Sequence, residues 1–168
     1  MINKLCRNVG FLFILFPLSA IAVDDKYENR LNDSGELFEL ENFKYELAQA
    51  KKFKRPIMVE FSTAWCAYCE SLEEEVIKPV VKNNIYENKI IIRKLEVNNS
   101  GVIDAAGEQQ SRVNFAMHHN VVFYPTVMFF NDEGKEISNR IVGLPLLDYV
   151  GGQLDNAVAL AITQMNKN

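Results

Sequence analysis

The chain has 168 residues, with 18 basic against 22 acidic side chains and a formal net charge of −4. That balance excludes a basic nucleic-acid surface, since Lys51-Lys52 with Lys54-Arg55 is the densest basic cluster and is too short to form one. At 48% hydrophobic residues, with 8 Gly and 5 Pro, the composition is that of an ordinary globular chain of one domain, without repeats or low-complexity linkers.

The first 22 residues read differently from the rest. Lys4 and Arg7 form a basic start, Val9 to Leu18 is an unbroken apolar run, and Ala20-Ile21-Ala22 offers small residues for a leader peptidase. This is the three-part pattern of a secretory signal peptide, and the run is too short to span a bilayer, which takes about 20 apolar residues. Residues 1–22 are therefore expected to be cleaved; an uncleaved anchor extending to Val23 is the alternative. Removing Lys4 and Arg7 leaves 16 basic against 22 acidic residues and a net charge of −6. Cys6 departs with the leader, so Cys66 and Cys69 are left with only each other.

Residues 23–41 form a polar N-terminal segment in which Glu36 to Leu40 can add an edge strand, and residues 42–168 form the expected folded domain. From Asn42 to Lys52, Phe43, Leu47 and Ala50 recur at helical spacing, with basic residues near the C-terminal end. Arg55-Pro56 closes this helix, and Ile57 to Phe61 reads as a buried strand. A second helix opens at Cys66 with Cys69, Leu72, Val76 and Val80 as its apolar stripe. Glu70, Glu73, Glu74 and Glu75 are expected to face water, and Pro79 to kink or end the helix.

Ile90 to Val97 is the next strand. A polar connection from Asn98 to Glu108 leads to a helix over Gln109 to His118. Thr126 to Phe130 and Lys135 to Val142 are two strands of a hairpin turning at Asn131-Asp132-Glu133-Gly134. A last helix covers Leu146 to Gln164, with Leu147, Val150, Leu154, Val158 and Ile162 on one face. A crossover unit followed by a hairpin makes an α/β fold, a mixed central sheet flanked by helices on both faces.

The chemistry lies in Trp65-Cys66-Ala67-Tyr68-Cys69, where a strand meets a helix. A sulfur at a helix start faces free N–H groups and the positive end of the dipole, which favours a thiolate near neutral pH. The ring that Cys66 and Cys69 would close is too short to constrain much of the unfolded chain, so it makes a weak structural staple. A closed zinc site needs about four ligands. His118 and His119 are adjacent and poorly placed to aim at one ion, so they read as solvated surface groups, and no metal or cofactor is expected.

Together these residues resemble the thioredoxin superfamily over about Phe43 to Ile162. The Trp-Cys-x-x-Cys run resembles the family's active-site motif, Tyr124-Pro125-Thr126 its cis-proline loop, and Val142-Gly143 the pair ahead of the last helix. Glu60 stands six residues before Cys66, where the family carries a buried acid that is usually Asp, and Lys94 occupies the place of the lysine that faces it. The dipeptide Ala67-Tyr68 departs from the Gly-Pro of cytosolic thioredoxins, and the connection after Val97 is longer than in a minimal member. The dipeptide and the leader shift the comparison to exported bacterial thioredoxin-like proteins: disulfide reductases, isomerases and cytochrome c maturation factors. The stretch Leu147 to Leu154 is faintly similar to periplasmic thioredoxin-related proteins linked to sulfur oxidation.

The resemblance implies thiol–disulfide exchange in the periplasm. Cys66 would attack a substrate disulfide and Cys69 would resolve the mixed disulfide, closing a redox-active Cys66–Cys69 pair. Glu60 would accept the Cys69 proton with Lys94 as its counter-charge. Trp65 would cover one side, and Tyr124, Pro125 and Thr126 would offer backbone to an extended substrate. No His lies between the cysteines to stabilise a reduced thiolate, so a reductant is expected, with a potential below about −200 mV. Expected partners are disulfide-bearing envelope proteins and a membrane electron donor of the thiol-relay type. A monomer is expected, because exported isomerases of this fold usually carry a dimerisation domain. An isomerase or oxidase, or a binding or chaperone module with an incidental dithiol, are the alternatives.

Overall fold

The computed structural model describes residues 36–144 and 147–167. The expected leader over residues 1–22 and most of the expected polar segment after it lie outside the described residues.

A five-stranded sheet in the order β1-β3-β2-β6-β7 is the frame. The strands are β1 (Phe38–Glu39), β2 (Ile57–Ser62), β3 (Ile91–Glu96), β6 (Thr126–Phe130) and β7 (Ile141–Val142). Strands β1, β3 and β2 run parallel, while β6 and β7 are antiparallel to their neighbours, so the sheet is mixed. All residues of β2 and β6 are buried, as expected of central strands covered on both faces.

Side-chain alternation divides the core in two. Val59, Phe61, Leu95 and Met128 face one layer, against helix α1 (Phe43–Phe53) and helix α4 (Arg112–His118). Met58, Ile92, Val127 and Phe129 face the other, against the helices after β2 and helix α5 (Leu147–Met165). Helix α1 starts where Asn42 accepts the Tyr45 N–H at 2.9 Å, a cap worth about 1 kcal/mol. It ends at Lys54 in a left-handed conformation, φ 52°. Within the first layer Arg93 of β3 is buried against Glu46 of α1, donating from Nε at 2.7 Å and from Nη2 at 3.1 Å. No periodicity argument could assign that pair, because each member looks like a surface charge in its own element.

Three expectations about the elements are corrected. The helix opening at the cysteines does not end at Pro79. It runs as α2 (Ala67–Leu72), a π-helical segment (Glu73–Ile77) and α3 (Lys78–Lys82), with Pro79 in the first turn of α3, where its missing N–H costs little. The wider π turn moves the inward face by one residue, from Val76 and Val80 to Ile77 and Val81. The connection after β3 holds a hairpin of β4 (Gly101–Ile103) and β5 (Gln109–Ser111), so α4 starts at Arg112, capped by Ser111. The partner of β6 is not a continuous strand over Lys135 to Val142: Glu136 bridges Phe130, and pairing resumes only at Ile141–Val142.

Candidate active site

Strand β2 ends at Ser62 opposite Glu96 of β3, and Phe61 pairs with Thr126 at the start of β6. The Cys66 turn and the Tyr124-Pro125 turn therefore leave the same end of the sheet, where the parallel strands deliver their carboxyl ends. The Tyr124–Pro125 bond is cis. Pro125 presents no N–H, and its carbonyl accepts the Gly143 N–H at 2.7 Å. Thr126 Oγ1 donates to the Phe123 carbonyl at 2.8 Å and so faces inward rather than outward.

Cys66 is the N-cap of α2. Its backbone is extended, and its Sγ accepts the Cys69 N–H at 3.2 Å. Cys66 and Cys69 are joined in a disulfide with their Cα atoms 5.2 Å apart. Cys66 is partly exposed, whereas Cys69 is 5% exposed. One sulfur can be reached by a macromolecular substrate; the other can be reached chiefly by the first.

Trp65 does not shield the pair. Its φ is 65°, a left-handed conformation costing a non-glycine residue about 1–2 kcal/mol, and its indole is fully exposed beside the disulfide. Trp65 lines a groove of about 420 Å³ together with Cys66, Cys69, Glu70, Glu73 and Lys94. Tyr68, Val122 and Phe123 are exposed apolar side chains at the same sheet end, Phe123 at 66%. Sequence reasoning missed Val122 and Phe123; two large apolar residues directly ahead of Tyr124-Pro125 were the available signal.

Glu60 is 0% exposed, and neither carboxyl oxygen has a hydrogen-bond partner among the described residues. Met58 points into the layer beneath α2, so Glu60, two residues on, points into that layer near the end that carries Cys69. Burial, then the nearby Glu73 charge, push its pKa up to about 8 against the opposing pull of Lys94.

Lys94 pairs with Glu60 in the strand register, yet its ammonium is held elsewhere, donating to Glu73 Oε1 at 3.2 Å and Oε2 at 3.3 Å. Glu73 is thus not a solvated residue. It is one helical turn beyond Cys69, 16% exposed at its side chain, and also bridged by Lys78 at 2.9 Å. Burial acts to raise its pKa, but the hydrogen bonds from Lys78 and Lys94 win and hold it below the usual carboxylate range. In the run Glu73-Glu74-Glu75 only helical phase distinguishes the inward residue, and the π turn obscures that phase.

The histidines are also corrected. His118 is exposed, but His119 packs its ring against Phe115 at 4.6 Å and Phe130 at 4.9 Å. Burial pulls its pKa down to about 4, helped by His118 and Arg140. Among the described residues no cluster of His, Cys, Asp or Glu is placed to hold a metal.

A model of the thioredoxin-like domain matches residues 43–150, most of the chain. The protein belongs to the thioredoxin-like domain family. Among curated relatives, the thiol:disulfide interchange protein DsbD of Pseudoalteromonas atlantica is 26% identical over 105 residues, covering 62% of this chain and 16% of that protein. DsbD of Salmonella typhimurium is 28% identical over 99 residues, covering 58% of this chain and 15% of its own. The thioredoxin-like domain here thus matches about one sixth of the length of those relatives. Of solved structures, spinach chloroplast thioredoxin f superposes with a TM-score of 0.52 at 15% identity, covering 73% of this chain and 94% of that one. Fasciola hepatica thioredoxin gives 0.50 at 19% identity, covering 73% and 97%. These structures establish the fold.

Proposed function

We propose that this protein is a thiol–disulfide oxidoreductase of the bacterial cell envelope that reduces protein disulfides through Cys66 and Cys69. The observation that carries the reading is the asymmetry of the pair: an accessible sulfur capping a helix, linked to a buried sulfur on a helix that lies over an unpartnered carboxyl. The DsbD relatives, named for thiol:disulfide interchange, support it.

In the reduced protein the Cys66 thiolate attacks one sulfur of a substrate disulfide, forming a mixed disulfide and expelling the other sulfur as a thiolate. Cys69, losing its proton to Glu60 directly or through water, then attacks Cys66 Sγ. The mixed disulfide breaks, the Cys66–Cys69 bond closes, and two electrons have passed to the substrate. A carboxyl near neutrality can accept and return that proton, which an ordinary carboxylate at its usual pKa does poorly. Trp65 and Tyr124 stand at the approach, and extended substrate backbone pairs beside the cis Tyr124–Pro125 turn.

Re-reduction falls to a membrane electron donor of the thiol-relay type, and the protein acts as an exported monomer. Insulin reduction with dithiothreitol as electron source tests the reading: wild type accelerates precipitation and Cys66→Ser does not. Equal curves would replace it with a binding module. Cys69→Ala traps substrates on Cys66 as mixed disulfides. A potential measured against glutathione near the oxidant end, about −120 mV, would reverse the direction of electron flow.

A further inference from the structure

The turn at the end of α4 is stabilised from a distance by Arg140. Asn120, with φ 55°, closes α4 in a Schellman motif, its N–H on the Met117 carbonyl at 3.0 Å and the Val121 N–H on the Ala116 carbonyl at 2.9 Å. Arg140 Nη1 donates across to the carbonyls of His119 at 3.2 Å and Asn120 at 3.3 Å. A guanidinium suits this place, because the two carbonyls lie just past the C-terminal end of α4, where the helix dipole favours a cation.

The guanidinium is itself oriented. Its Nε and Nη2 donate to the two oxygens of Glu136 at 2.9 and 2.6 Å, a bidentate fork in which both side chains are less than one third exposed. Glu136 is bridged to Phe130 at the far end of β6, and Arg140 immediately precedes β7, which pairs with Thr126 and Val127. One side chain therefore joins the irregular strap between β6 and β7 to the end of α4. Between its carbonyl partners and β6 runs the segment Val121 to Pro125. It is anchored by buried Val121, by Thr126 Oγ1 on the Phe123 carbonyl and by Gly143 N–H on the Pro125 carbonyl. Val122 and Phe123 remain exposed between these anchors.

We infer that Arg140, oriented by Glu136, is a positioning residue for the substrate-pairing loop 121–125. It acts at the loop's origin and touches no reacting atom. The inference rests on the proposed exchange at Cys66 and concerns how protein substrates are held there: a substrate that must lie along the loop depends on Arg140, and a small disulfide that only has to reach Cys66 Sγ depends on it far less.

The test compares wild type with Arg140→Gln in insulin reduction with dithiothreitol, alongside the rate with a low-mass aromatic disulfide. Loss of two hydrogen bonds from a charged donor is expected to raise the insulin KM about tenfold, with kcat within about twofold. The small-disulfide rate is expected to move much less than the KM. Amide hydrogen exchange at Val122, Phe123 and Tyr124 is read in the same variant and is expected to quicken about tenfold while the β2 and β3 amides hold. Should Arg140→Gln fail to fold, Glu136→Gln keeps the guanidinium and removes its orienting partner, and the same changes are expected at smaller size. Unchanged KM and unchanged loop exchange, or a parallel fall in both activities, would overturn the inference. A wild type inactive on both substrates would instead overturn the exchange reading, and loop exchange would still decide the role of Arg140.

Discussion

Lys94 stands opposite Glu60 across the β2–β3 register, but its ammonium is bound by both oxygens of Glu73. The buried acid is therefore left without a hydrogen-bonded partner, while its nominal counter-charge is shared with a carboxylate on the helix that carries the cysteines. Glu39 of β1 is a further acidic neighbour, 3.9 Å from the Lys94 ammonium.

Replacing Glu73 with Gln removes an anion near Glu60 and frees the Lys94 ammonium from its carboxylate, while Glu74 still holds Lys78. Both changes favour the ionised form of Glu60. Its pKa should fall from about 8 by roughly one unit or more, read by carbon-13 NMR titration of labelled glutamate. A titration midpoint still at about 8 would show that burial alone sets it.

Glu60 also makes stability depend on pH. Its folded pKa of about 8 lies above the ordinary glutamate value of 4.5, so the folded state binds the proton more tightly than the unfolded one. That contribution is complete below about 4.5 and is lost as pH rises through about 8. Glu60→Gln should flatten this slope and be more stable than wild type at pH 9 by about 4–5 kcal/mol, measured by urea unfolding across the range. Parallel profiles for the two proteins would refute a buried, unpaired acid.

His119 acts with the opposite sign. Its folded pKa of about 4 is below 6.5, so its stabilisation is present above about 6.5 and disappears as pH falls through about 4. His118, Arg140 and Glu136 are the charged neighbours that modulate it. His119→Phe keeps the ring contacts and should resist acid better than wild type between those values; an identical acid midpoint would argue that the imidazole stays accessible to water.

The Arg93–Glu46 pair should show the asymmetry of buried charges. Arg93→Met leaves the Glu46 carboxylate uncompensated among apolar neighbours and should cost about 3–5 kcal/mol at neutral pH. The double change Arg93→Met with Glu46→Leu should recover most of that loss. Equal stability of the single and double variants would show that the carboxylate is solvated after all.

Local pattern carried much of this fold. Phe43, Leu47 and Ala50 placed α1 because their spacing matches the helical period, and the apolar runs at Ile57 and Thr126 marked the central strands. The Trp-Cys-x-x-Cys run marked the dithiol, since its chemistry depends on neighbours in sequence. Boundaries failed where a contact from elsewhere outweighed the local pattern. Gln109 to Ser111 continue a helical reading but pair with Gly101 to Ile103, and the π turn at Glu73 rotates the inward face onto Ile77 and Val81.

Residue order alone makes it legible that Cys66 and Cys69 share a strand–helix junction with an acid six residues ahead. Strand alternation separates Glu60 from the face of Val59 and Phe61. How that acid is charged depends on the folded chain, because electrostatics sums over every neighbour whatever its place in the sequence. Glu73, Lys94 and Glu39 come from three different elements, and none of their positions in sequence says which of them will hold the others. The same holds for Arg140, which reads as a surface base and yet donates to the turn that closes a helix about 20 residues away.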